Sequence, residues 1–189
     1  MRVITGKYKG KHFDVPRSFK ARPTTDFAKE NLFNVLRGYI DFDEELVALD
    51  LFSGTGSISL ELLSREADKV VSVERDPQHF SFISQVQKYL DDKCWFPMRA
   101  DVFKYIERSK EHFDFIFADP PYALKELASI PDVIMAKEGL LKPDGLLVVE
   151  HGKDYDFSNH PCFVEHRAYG SVNFSFFKHK NEEAEEQEA

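Results

Sequence analysis

Apolar and polar positions alternate along this chain in blocks. Residues 46–52, 69–74, 113–118 and 146–150 are short, nearly continuous apolar runs bounded by turn signals, which predicts strands buried on both faces. Residues 95–98 read as a weaker strand of the same set. Between the runs, apolar positions recur at helical spacing, and helices are expected over 58–64, 77–89 and 102–110. Residues 124–136 read as mostly helical with a break near Pro131, and residues 142–145 as a turn. Strands alternating with helices predict an α/β fold with a mostly parallel, doubly wound sheet and right-handed crossovers.

The rhythm changes at both ends. Residues 163–167 and 172–177 flank a turn at 169–171, so the sheet should close on an antiparallel edge hairpin. At the N-terminus, residues 2–5 and 11–15 flank Gly6 and Gly10 and read as a small β-hairpin. A basic, irregular segment follows. Thr24 or Thr25 can then cap a helix by accepting a backbone N–H, Asp26 suits its positive end, and Gly38 ends it. The expected units are a hairpin and helix over 1–40, an α/β domain over 41–180 and a disordered tail over 181–189.

Charge sharpens that division. The net charge of −8 hides an asymmetry: residues 1–37 hold nine Lys/Arg against three Asp/Glu, whereas 181–189 hold five Glu and no basic residue. A local basic patch, not the total, sets the field that a phosphate backbone meets. Lys7, Lys9, Lys11, Arg17, Lys20 and Arg22 are therefore candidate RNA contacts, although Lys-rich N-termini are often simply solvated. No apolar run is long enough to span a membrane, and no charged-then-apolar leader is visible. Cys94 and Cys162 stand apart without metal-ligand spacing, which fits a cytoplasmic setting and no metal.

Two stretches carry chemistry. The first is Asp50-Leu51-Phe52-Ser53-Gly54-Thr55-Gly56, where two glycines after an apolar strand let the backbone turn tightly beside a ligand. A third glycine at dinucleotide spacing is missing, since Ser59 stands there, and no Gly-Lys-Ser/Thr follows, so phosphate is not the gripped group. Glu74 ends the next strand, where a carboxylate accepts hydrogen bonds from ribose hydroxyls. Asp101 ends the third strand and can receive an adenine amine. Phe52, Ser53, Gly54 and Gly56 would border this cradle, and Asp50 beneath it could help hold an ammonium. An adenosine bearing no phosphate fits, and S-adenosyl-L-methionine is such a molecule.

The second stretch is Asp119-Pro120-Pro121-Tyr122. The prolines cannot donate to a ladder, so the strand must stop and hold a carboxylate at the carboxyl edge of the sheet. Alone, Asp119 would be an ordinary strand end. Followed by a stiff kink and an aromatic ring, it reads as a site.

Taken in order, the glycine loop, Glu74, Asp101 and Asp-Pro-Pro-Tyr resemble the motifs of Rossmann-like class I methyltransferases. Residues 1–10, Arg22-Pro23-Thr24-Thr25-Asp26, Val149-Glu150-His151 and Tyr169-Gly170 further resemble the RsmD family, and the likeness covers roughly residues 1–178. That resemblance implies methyl transfer to the N2 amine of a guanine in 16S ribosomal RNA, as naked RNA or within the small ribosomal subunit, by a monomer. Asp119 and the Pro120 carbonyl would then accept the amine hydrogens, and Tyr122 would stack on the base. Thr24, Thr25 and His151 become further candidate RNA contacts, although a helix cap explains one threonine and a surface loop explains the histidine nearly as well. The 94–98 segment is bulkier than the family pattern suggests, which bears on packing beside the adenine.

Two other readings stand beside this one. A DNA adenine-N6 methyltransferase uses the same tetrapeptide, but the chain is short for a separate target-recognition domain. A non-catalytic RNA-binding or assembly protein on the same fold would have no need to keep Asp119.

Overall fold

The computed structural model describes residues 1–19 and 24–180. Lys20, Arg22 and the acidic tail at 181–189, all singled out above, lie outside the described residues. Seven strands form one sheet: β1 (Val47–Leu51), β2 (Lys69–Glu74), β3 (Trp95–Arg99), β4 (Phe113–Ala118), β5 (Leu141–His151), β6 (Phe163–Tyr169) and β7 (Val172–Phe177), in the order β3-β2-β1-β4-β5-β7-β6. The first five pair in parallel, and β7 joins β5 and β6 antiparallel. This is the expected α/β, Rossmann-like class I methyltransferase architecture with an antiparallel edge.

Strand periodicity divides the core between two faces. Ala48, Val70, Phe117 and Val148 point to one side, where α1 (Asp26–Leu36), α2 (Ser57–Ser64) and α3 (Pro77–Leu90) cover them. Leu49, Val71, Ile116 and Leu147 point to the other, under α4 (Val102–Arg108) and α5 (Ile130–Ala136). Burial on both faces is why these strands are apolar without interruption.

One local expectation needs correction. Residues 142–145 are not a free turn: they bulge within β5, because Phe113 pairs with Leu141 while Phe115 pairs with Leu146. Lys142 uses the bulge to reach the Asp114 carboxylate (2.8 Å). The expected break near Pro131 lies where a 3-10 turn (Leu127–Ser129) gives way to α5, and Pro131 sits in the first turn of α5, where its missing N–H costs nothing. The N-terminal hairpin is present, with an antiparallel bridge between Arg2 and His12 and backbone bonds joining Met1 to Phe13 and Val3 to Lys11.

That hairpin is held by α2 as well as by its own cross-strand bonds. The Ile4 and Thr5 N–H groups donate to the two oxygens of Glu61 (2.9 and 3.0 Å). Glu61 also meets Arg65 (3.1 Å) and, at 3.7 Å, the Lys29 ammonium from α1. Lys29 in turn donates to the Arg2 carbonyl and the Ser57 hydroxyl. Gly6 lies so close that a Cβ there would fall 1.6 Å from the Ser64 carbonyl oxygen, and its φ of +88° is costly for any side chain. Val3 and four α1 residues (Ala28, Leu32, Phe33, Leu36) belong to the same core cluster as the sheet.

Candidate active site

The chain leaves β1 toward β2 on one side of the sheet and leaves β4 toward β5 on the other. The carboxyl ends of β1 and β4 therefore flank the point where strand order reverses, which is where open α/β sheets form a ligand crevice. Both sequence-predicted stretches end there.

On the β1 side, Phe52 has φ 58°, unusual for a bulky residue, and Gly54 and Gly56 follow at 54° and 73°. Such left-handed steps store strain that surrounding contacts must hold. Glu74 supplies part of that hold. Its Oε2 accepts the Gly54 N–H (2.8 Å) and its Oε1 the Asp76 N–H (2.7 Å). Each carboxylate oxygen keeps a further acceptor position for a ligand hydroxyl. Gly56 precedes α2, and a Cβ there would press on Trp95 at 3.0 Å and on Ile83 at 3.2 Å. The bulky 94–98 segment thus packs beneath the glycine loop through Trp95.

Asp50 faces inward, away from the surface of the loop. It is buried and accepts from the Ser59 N–H (3.1 Å) and hydroxyl (2.5 Å). Ser59 continues to Ser72, and the Trp95 indole N–H donates to Ser72 (2.6 Å). Burial pushes the Asp50 carboxyl up to about 7, with the Ser59 bonds opposing the rise. Asp50 thereby anchors the first turn of α2, whose N–H groups need partners.

On the β4 side, Asp119 keeps its backbone N–H on the Leu51 carbonyl (3.2 Å), so its carboxyl stands one step beyond the end of β1. Pro120 is buried, Pro121 is exposed and the Tyr122 ring is 48% exposed. Ala118 pairs with Val149 in parallel register, which sets Asp119 beside Glu150 on β5. Glu150 is 5% exposed. Its Oε1 lies 3.4 Å from the Tyr122 hydroxyl, and its Oε2 has no hydrogen-bond partner among the described residues. Burial raises the Asp119 carboxyl well above the usual range, and the charges of Glu150 and Asp50 raise it further. Burial likewise carries Glu150 up to about 7. Tyr122 is raised by burial and by both carboxylates. Two carboxyls this close, one buried and one half-buried, resist ionising together, so the pair retains a proton in the range where a free carboxylate has lost it.

Glu150 was not singled out as a site residue by sequence reasoning. The available signal was a carboxylate closing an apolar run at the same sheet edge as Asp119, but a strand-end Glu is ordinarily solvated. Its burial comes from β7 and from Tyr122. A Cβ on Gly152 would make ordinary van der Waals contact with the Tyr122 ring at 3.5 Å, so the ring lies across the backbone at this point.

Other candidates are more scattered. Asp101 caps α4 by accepting the Lys104 N–H (3.2 Å) and lies 3.7 Å from Arg75. Thr25 is the cap of α1, accepting from Ala28 (3.2 Å). Thr24 and Thr25 also line a cleft of about 480 Å³ with Met1, Arg2, His12, Asp26 and Ser57, which opens at the start of α2. Lys7 is paired with the buried Asp92 (3.1 Å), which Tyr8 also reaches (2.7 Å). Lys9, Lys11 and Arg17 are exposed. His151 is not a surface loop histidine but the last residue of β5. It is 1% exposed, with its ring nitrogens 2.8 Å from the Gly152 carbonyl and 2.8 Å from the Ser175 hydroxyl. Alternation places it on the opposite face from Glu150, against Phe157 and Tyr155, and burial holds its pKa down.

Comparison with known proteins agrees with this geometry. The family model described as Conserved hypothetical protein 95 matches residues 1–178. The chain is 35% identical to the Ribosomal RNA small subunit methyltransferase D of Haemophilus influenzae, covering 82% of this chain and 80% of that one. It is 32% identical to YlbH of Bacillus subtilis, over 82% and 85%. Among solved structures, a hypothetical protein of Thermus thermophilus superposes with a TM-score of 0.82 at 28% identity, covering 95% of this chain and 99% of that one.

Proposed function

The chain belongs to the RsmD family of methyltransferases, and on that premise we propose that it methylates the N2 amine of a guanine in 16S ribosomal RNA. Family membership supports ribosomal RNA methylation with S-adenosyl-L-methionine as donor. The observation that carries the guanine reading is the acceptor-rich, donor-poor edge formed by Asp119, Pro120 and Glu150 beside the glycine loop.

The residues of the cradle fit the donor. Glu74 has acceptor capacity left for ribose hydroxyls, and Asp101 for an adenine amine. When bound, the donor supplies an electrophilic sulfonium methyl. A guanine amine is a poor nucleophile because its lone pair is delocalised into the ring. Asp119 and the Pro120 carbonyl orient the amine hydrogens and stabilise positive charge as it develops on nitrogen. The Asp119–Glu150 pair has a higher proton affinity than a free carboxylate, so it suits receipt of the proton the amine must lose. Tyr122, half exposed at the mouth, can stack on a base taken out of its neighbours' stack.

The test is incubation with labelled S-adenosyl-L-methionine and, separately, small ribosomal subunits, naked ribosomal RNA or DNA. Label recovered as N2-methylguanosine from ribosomal RNA is the expected result, and label only in DNA would sink the assignment. Asp119→Ala should lower transfer by about 100-fold or more while cofactor binding persists. Equal loss of both would assign Asp119 to the cofactor site or the fold.

A further inference from the structure

Glu150 presents a buried acceptor that the fold leaves unused. Its Oε2 has no hydrogen-bond partner among the described residues, although the side chain is 5% exposed. Buried polar atoms are seldom left without a partner, because the lost hydration is not repaid. The exceptions point to a donor that arrives from outside. Here the direction of approach is fixed by three observations. Glu150 follows Val149, the partner of Ala118, so it stands beside Asp119 at the open edge of the sheet. Tyr122 reaches over it, with its hydroxyl 3.4 Å from Oε1. The neighbouring strand offers Phe174 as the pairing residue, an apolar wall with no side-chain donor.

With Glu150 ionised, the edge presents three acceptors in a row: the Asp119 carboxyl, the Pro120 carbonyl and Glu150 Oε2. Bases differ in what they bring to such a row. Beside its exocyclic amine, guanine carries a ring N1–H, so the amine and N1 together offer donors only. Adenine and cytosine carry an unprotonated ring nitrogen beside the amine, which would face Glu150 as acceptor against acceptor. We infer that Glu150 is the specificity-determining residue of this site, accepting the guanine N1–H while Asp119 and Pro120 take the N2 hydrogens. This rests on the guanine-N2 reading above and extends it from the reacting amine to recognition of the base. It also separates this site from others built on Asp-Pro-Pro-Tyr, since the tetrapeptide handles any exocyclic amine and the discrimination comes from β5.

The probe is 2-aminopurine, which keeps the N2 amine but has no N1–H. The methylated position is first mapped on wild-type product, and ribosomal RNA with guanine or 2-aminopurine at that position is then assembled into small subunits. For the wild type, kcat/KM on guanine should exceed that on 2-aminopurine on the order of 100-fold, the scale of a buried group left unpaired. In Glu150→Gln, whose amide can donate to an unprotonated N1, the ratio should fall to within about 10-fold. An unchanged ratio in a folded Glu150→Gln, with both rates lowered alike, would overturn the assignment and leave Glu150 a supporting charge. Should that variant not fold, equal wild-type rates on the two substrates would overturn it as well. Label on a base other than guanine, or on guanine away from N2, would instead remove the underlying reading, and the product nucleoside distinguishes that failure from the others.

Discussion

Glu61 on α2 and Glu150 at the end of β5 are both buried glutamates, yet their surroundings differ completely. Glu61 accepts from two backbone N–H groups and meets Arg65 and Lys29. Glu150 has one long contact from Tyr122, an oxygen without a partner among the described residues and a like charge beside it. The first arrangement uses a buried charge to bind the N-terminal segment to the body of the protein. The second holds acceptors in reserve at the cost of stability. The contrast teaches that burial of a carboxylate says little by itself, and that the count of donors around it separates a structural group from a functional one.

The largest effect should come from breaking the satisfied cluster. Glu61→Gln leaves Lys29 buried without its counter-charge and should cost about 3–5 kcal/mol in urea unfolding. Glu150→Gln removes a like-charge repulsion and should be neutral or stabilising in the same measurement. Similar losses in both variants would abolish the distinction drawn here.

The pH dependence of stability gives a second comparison. In the folded protein Glu150 titrates near 7, above its ordinary value of 4.5, so the native state binds the proton more tightly than the unfolded chain. Its contribution favours folding below about 4.5 and is lost as pH rises toward 7, with a slope of up to about 1.4 kcal/mol per pH unit. His151 acts in the opposite sense, because its lowered pKa makes folding less favourable as pH falls through the imidazole range. The difference between wild type and Glu150→Gln reports the titration of the coupled Asp119–Glu150 pair and leaves His151 out. Parallel stability profiles from pH 4.5 to 7 would contradict the raised titration.

A smaller effect sharpens the other side. Tyr8→Phe removes the hydroxyl that donates to Asp92 and should cost about 1.5 kcal/mol, with Lys7 and the Cys94 N–H still satisfying the carboxylate. No loss in urea unfolding would mean that the Tyr8 bond adds nothing to the hold on the N-terminal segment.

Much of the architecture was legible in the residues themselves. Strands over 69–74 and 113–118 lie where their apolar runs end in Glu74 and before Asp119, because runs buried on two faces leave little room for another reading. The bulge at 142–145 was not legible, since Pro143, Asp144 and Gly145 carry every local mark of a turn and only pairing with β4 keeps them in a strand. The burial of His151 was not legible for a similar reason: it comes from Ser175 on β7 and from Phe157, both outside its own strand.

The chain by itself determined the alternation of strands and helices, the tight turn at Gly54 and Gly56, and the end of a strand at Asp119. These follow from local sterics and from missing backbone donors, which neighbouring residues impose at short range. The tertiary structure alone decided that Glu61 would be neutralised, that Asp50 would turn to Ser59, and that Glu150 would lie beside Asp119 without a full set of partners. Desolvation and charge proximity depend on which distant segments pack together, so a carboxylate acquires its chemical character only when the fold is complete.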